Sequence, residues 1–108
     1  MKMVMAIINK NDEDFTVEAL NKEGFFVTKL ATTGGFLKKT NSTLLIVTED
    51  EKVAAVENII KEEAGKRKEK YPITTPTANA LSSSFVTAER DTGGATIFVL
   101  EVEKTDKF

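Results

Sequence analysis

Three short segments of this chain, Lys2 to Ile8, Ser42 to Thr48 and Ala95 to Val102, carry apolar residues at consecutive positions rather than at alternate ones. A strand that buries one face alternates apolar and polar side chains, so these runs predict strands that have to be covered on both faces. With 108 residues the chain has room for one domain, over 1–108, and a modest core. Whatever covers the second faces must therefore come from few remaining elements, or from outside the chain.

Between the apolar runs, Asp12 to Glu23 places Phe15, Ala19 and Leu20 at helical spacing, with acidic residues at its start and Gly24 as a C′ residue. Phe25 to Thr33 is aromatic and β-branched and stops at Gly34-Gly35, which predicts a second strand. Thr48-Glu49-Asp50-Glu51 has capping-box spacing, and the helix it predicts aligns Val53, Val56, Ile59, Ile60 and Ala64 on one face and stops at Gly65. The stretch from about 66 to 91 holds both prolines and Ser82-Ser83-Ser84, and reads as a long, mobile loop that leaves room for a strand at either end. A shorter loop covers about 34 to 42.

The order is thus strand, helix, strand, strand, helix, strand, the split βαβ pattern of an α+β, ferredoxin-like βαββαβ fold. Two helices on one face of an antiparallel sheet leave the other face of the doubly apolar strands bare. The economical cover is another copy of the chain, giving a homo-oligomer.

Composition removes several kinds of chemistry. There is no His and no Cys, which excludes serine triads, cysteine nucleophiles, thiolate zinc sites and disulfides. The apolar runs fall short of the ~18 residues of a membrane helix, and the stretch before Asn9 is too short for a secretory leader, so the expectation is a cytoplasmic chain without membrane contact. A net charge of −2 provides no positive field to hold DNA or RNA, though a small anion held by local donors is compatible with it.

Two places could hold such an anion. Thr32-Thr33-Gly34-Gly35 and Asp91-Thr92-Gly93-Gly94 each set a Thr-Gly-Gly beside a strand end, either as plain turns or as backbone nests whose amides converge on an anion. After the first come Phe36 and Leu37, apolar among Lys38, Lys39, Thr40, Asn41 and Ser42. They can pack on a planar base, an interaction worth about 1 to 3 kcal/mol per base, or bury against a neighbouring subunit. A site between subunits would satisfy both.

The stretch Thr28-Lys29-Leu30-Ala31-Thr32-Thr33-Gly34-Gly35-Phe36-Leu37, with Asn41 and Thr43 after it and Gly93-Gly94-Ala95-Thr96-Ile97-Phe98-Val99 near the end, resembles the PII-like cyclic di-AMP receptor proteins of Gram-positive bacteria. The resemblance covers nearly the whole chain. It implies a PII-like homotrimer of ferredoxin-like protomers, with cyclic di-AMP as ligand in clefts between subunits, no catalytic step, no other cofactor and no metal. It further implies loops around the cleft that reorder on binding and signal to a downstream protein. By position, Thr28, Gly35, Phe36, Leu37 and Asn41 would contact the dinucleotide from one subunit, with Gly93, Gly94 and Phe98 completing the cleft and Phe108 beyond them. Phe26 stands where such receptors commonly carry Arg, Val47 and Thr40 where they carry Gly, and Lys107 where Gln is usual.

A sensor of another adenine nucleotide such as ATP, or a relative that has lost its ligand, is the second reading. A small enzyme using carboxylates and a metal is the third. Its candidates, Asp12, Glu13 and Asp14 or Glu49, Asp50 and Glu51, sit at predicted helix N-termini, where acidic residues favour the dipole, and Tyr71 has no placed partner. The doubly apolar strands predict that the chain sediments as an oligomer at micromolar concentration. A monomer in the ultracentrifuge would contradict the reading of those strands.

Overall fold

The structure is a computed structural model that describes residues 1–30, 41–73 and 86–108. Its elements run β1 (Lys2–Asn9), α1 (Glu13–Lys22), β2 (Thr28–Leu30), β3 (Asn41–Thr48), α2 (Val53–Ala64), β4 (Arg67–Ile73), β5 (Val86–Thr92) and β6 (Ala95–Glu101). The apolar runs become the centre of a four-stranded sheet in the order β2-β3-β1-β6, with every paired neighbour antiparallel. Strand β3 lies between β1 and β2, and β1 lies between β3 and β6. These are the two split crossovers of a ferredoxin-like fold.

Register shows which residues share a face. Val4, Ala6 and Ile8 of β1 stand opposite Ile46, Leu44 and Ser42 of β3, and the apolar members of this set are fully buried with Leu20 of α1 and Val56, Ile60 and Ala64 of α2. This is the core, and both helices contribute to it. The odd-numbered residues face away from it. Met3, Met5 and Ile7 are flanked by Val47, Leu45 and Thr43 on one side and by Leu100, Phe98 and Thr96 on the other. On that second face Phe98 is half exposed and Val47, Leu100 and Leu30 are also exposed, an apolar surface that no element described here covers.

The helices depart from the sequence reading in their details. In α1 the buried positions are Thr16 and Leu20, whereas Phe15 is 67% exposed. The i, i+4 pair 16 and 20 faces the core because the Thr16 hydroxyl bonds back to the Asp12 carbonyl at 2.6 Å, satisfying its polar atom inside the helix turn. The helix ends as predicted at Gly24, with φ +87°. The Phe25 amide donates to the Leu20 carbonyl (2.9 Å) and the Gly24 amide to Asn21 (3.0 Å), a complete Schellman motif. The capping box before α2 does not form. Thr48 is the buried last residue of β3, and the helix instead starts through a 3₁₀ turn at Asp50–Lys52 after Glu49, which makes no side-chain cap.

Strand β2 is shorter than its sequence suggests. Phe25 and Val27 approach it as extended chain packed against the core, and pairing begins only at Thr28. Inside the stretch read as a long loop, β4 and β5 form an antiparallel two-stranded ribbon, from Arg67↔Thr92 through Tyr71↔Ala88 to the last pair at 73 and 86. Cross-strand pairing of opposite charges, Lys68 with Asp91 and Lys70 with Glu89, favours that register. The molecule is elongated, 68 Å in its longest extent with a radius of gyration of 18.7 Å. A compact chain of this length would have about 13 Å. No helix among the described residues is long and apolar enough to cross a membrane.

Replacing the fully buried Ile46 by Ala is expected to lower stability by about 2 to 5 kcal/mol, whereas Phe15→Ser should stay within about 0.5 kcal/mol of wild type. Chemical denaturation of the two variants checks the assignment of the α1 face.

Candidate functional site

One end of the sheet gathers the chain segments to which the sequence assigned a ligand. Asn9 and Asn41 are paired there, Ala95 sits opposite Ile8, β2 ends at Leu30, and β4 and β5 meet the body at Arg67 and Thr92. Gly35, Phe36 and Leu37, together with Thr40, lie outside the described residues. Of the candidates that are described, Thr28 is exposed on the edge strand β2, and Asn41 is half-buried at the start of β3.

Phe98 lies on β6, at the opposite edge of the sheet. Thr28, Leu45, Met5 and Phe98 are successive cross-strand partners, so they form one row across the open face. Three strand spacings separate Thr28 from Phe98, about 14 Å. Within one chain Thr28 and Phe98 therefore stand apart, whereas Asn41 and the Gly93-Gly94 turn lie at the same end of the sheet. Among the positions that differ from the resembling family, Phe26 is 89% exposed beside β2, Val47 is exposed on the open face, and Lys107 is exposed in the tail, as is the candidate Phe108.

The Gly93-Gly94 turn joins β5 to β6 and needs its glycines for packing as well as for shape. Gly93 has φ +77°, and a Cβ there would meet the Gly65 carbonyl oxygen at 2.5 Å and Arg67 Nη1 at 2.6 Å. The Gly94 amide donates to the Ala64 carbonyl at 2.9 Å and so is already engaged within the chain. Next to this turn a groove of about 600 Å³ opens between α2 and β6, with Glu57, Lys61 and Lys66 on its helix side and Gly94 to Ile97 on its strand side. Its lysines can attract an anion, while Glu57 opposes a second one.

Two polar clusters were not anticipated. Glu13 accepts from the Ser42 hydroxyl at 2.5 Å and pairs with Lys29 at 3.0 Å, tying α1 to the residues that neighbour Asn41 and Thr28. The Ser42 hydrogen bond, followed by Lys29, holds the Glu13 carboxyl below its ordinary range, and Glu13 in turn raises the Lys29 ammonium. Asp12, 8% exposed at its side chain, receives a forked Arg67 guanidinium, with Nη2 at 2.5 Å and Nη1 at 3.4 Å. The acidic run at 12–14 thus serves specific partners as well as a helix terminus. Its sequence signal is weak, because Lys29 and Arg67 sit in segments where charge ordinarily faces solvent. Of the other carboxylates of the enzyme reading, Asp50 pairs with the Met1 ammonium at 2.8 Å, and no cluster suited to a metal occurs among the described residues.

Comparison with known proteins agrees with this architecture. A family model described as "Cyclic-di-AMP receptor" matches residues 1–108. The chain is also similar to a crystal structure described as that of a functionally unknown protein from Pediococcus pentosaceus ATCC 25745. The two share 34% sequence identity and a TM-score of 0.78, over 99% of this chain and 96% of the other.

The Glu13 cluster predicts an acid-sensitive contribution to stability. An unfolded glutamate titrates near pH 4.3 and the folded carboxyl lower, so the contribution is complete above that pH and is lost as pH falls through the folded value. Glu13→Gln should be less stable than wild type at neutral pH, with the two denaturation midpoints converging in acid.

Proposed function

The chain belongs to the cyclic-di-AMP receptor family, and on that premise we propose that it is a signalling receptor that takes cyclic di-AMP into clefts between the subunits of a homotrimer. The match of the family model to all 108 residues carries this reading. Three features support its finer parts. Thr28 lies on one edge strand of the sheet and Phe98 on the other, an arrangement that suits a cleft completed by a neighbouring copy. The open apolar face is the kind of surface that association covers. The single chain exposes 8544 Å², well above the roughly 6,000 Å² of a compact protein of 11.9 kDa.

In this proposal the adenine bases pack on Phe36 and Leu37 from one subunit and on Phe98 from the next. Thr28, Asn41 and the Gly35 amide supply polar contacts, and the Gly93-Gly94 turn closes the cleft as a backbone wall. Phe26 contributes no charge to the phosphates, which leaves Lys29, paired with Glu13, and Lys38 and Lys39 as the nearby cations in sequence. Binding selects one arrangement of the 34–42 loop and of the 66–91 segment, which alters a surface read by a cytoplasmic protein partner. A ligand shifts such an equilibrium only by its difference in affinity for the two arrangements. No chemical step is involved, and the chain acts as a binding protein rather than an enzyme.

Calorimetry with cyclic di-AMP, cyclic di-GMP and ATP on one preparation tests the assignment. Heat with cyclic di-AMP, and a gain of about 2.7 kcal/mol in stability at 100 times its Kd, are the expected results. Thr28→Val and Asn41→Ala should each weaken binding about three- to tenfold, the loss of one hydrogen bond. Heat with ATP alone would transfer the site to the second reading, and heat with none would overturn the receptor assignment.

A further inference from the structure

The β4–β5 ribbon has little of its own to hold it at a fixed angle. A two-stranded ribbon is marginally stable without a surface to pack on, and here residues 66–70, Pro72, Thr87 and 89–91 are all exposed. Its internal support is the Arg90 guanidinium, 5.1 Å above the Tyr71 ring and 3.4 Å from Glu69. Neither contact reaches the body of the protein.

At the root the situation changes. The Arg67 guanidinium spans three elements: its two terminal nitrogens meet both oxygens of Asp12, just ahead of α1, and Nη1 also donates to the Gly65 carbonyl at 3.2 Å, just after α2. Gly93 lies against the same nitrogen, and a side chain there would push it away. The last residues of α2, the first of β4, the β5–β6 turn and the residue ahead of α1 therefore converge on one side chain.

We infer that the Asp12–Arg67 pair is a fixed pin that sets the direction of the ribbon and the position of the Gly93-Gly94 turn, making Arg67 and Asp12 positioning residues of the ligand cleft. The last clause rests on the receptor reading above; the pin itself does not. The pair stays closed because opening it would strand a carboxylate that is almost wholly buried, a far larger penalty than parting two exposed charges. Ligand-driven rearrangement then takes place beyond Arg67, with the root as pivot. Lysine cannot replace the arginine, since it lacks the planar fork that reaches both Asp12 oxygens and the Gly65 carbonyl.

The absence of native cysteine makes the test direct. Spin labels at Ala54→Cys on α2 and Thr87→Cys on β5, in chains diluted with unlabelled protein, report the angle of the ribbon through their distance distribution. The labelled protein without further changes should give a narrow distribution. Adding the pair Asp12→Asn and Arg67→Gln, which removes both charges together, should broaden it, and so should Arg67→Lys. Cyclic di-AMP affinity should fall about tenfold in both, equivalent to about 1.4 kcal/mol. Should the double variant fail to fold, Arg67→Lys, which keeps the charge but not the fork, carries the test alone.

A folded variant of any of these with the narrow distribution intact would overturn the pin. A broadened distribution with unchanged affinity would overturn its role in the cleft. If the unsubstituted protein binds no cyclic di-AMP, the receptor reading fails while the distances still decide the pin.

Discussion

Strand β1 is hydrogen-bonded along both edges and apolar on both faces, and the rest of the protein is arranged to meet those two demands. Its edges are met by β3 and β6, each paired with it over nearly its full length. One face is met by α1 and α2, whose Leu20, Val56, Ile60 and Ala64 close over Val4, Ala6 and Ile8. The two split crossovers follow from this, because each carries a helix over the strand that lies between its ends. The second face is left to Met3, Met5 and Ile7 and to their neighbours on β3 and β6.

Charge is used locally in this fold. Asp12, Glu13 and Asp50 each hold a cation that is distant in sequence or at the chain's start, and each such contact fastens a helix beginning to another part of the molecule. The acidic first turn of α1, with Glu13 and Asp14, favours its helix dipole as well. One set of side chains thus assists helix formation and fixes how the helices are joined to strand and ribbon. This explains how a chain with 30% charged residues can keep a small apolar core and still orient its loops.

What the sequence disclosed was what depends on neighbouring residues. Consecutive apolar positions marked β1, β3 and β6, helical spacing marked the α2 face, and Gly24 marked a helix end, because each is decided within a few residues. Phe15 and Thr16 show the limit: hydrophobicity favoured Phe15 for the core, but a hydroxyl able to bond its own helix turn occupies that face instead. A strand at either end of the 66–91 stretch was allowed for, but their pairing into a ribbon was hidden, because it joins Lys68 to Asp91 and Lys70 to Glu89, contacts that no local period reveals in a segment of mixed charge with a proline. The partnership of Asp12 with Arg67 was hidden in the same way. For the candidate site, the resemblance singled out Thr28, Asn41 and Phe98, and the split βαβ pattern implied that Thr28 and Phe98 lie on opposite edge strands, while their alignment in one row depends on a register that no local pattern reveals.

The centre of the open face is occupied by Met3 and Met5, whereas Leu45, Val47, Phe98 and Leu100 stand around them. A thioether side chain has three rotatable bonds and no branch, so it re-packs around small displacements at little energetic penalty. Branched and aromatic side chains resist such displacement more strongly. The face is consequently compliant in the middle and stiff at its margins, the mechanical character of a bearing. A surface seated against it can shift or turn slightly without opening a void.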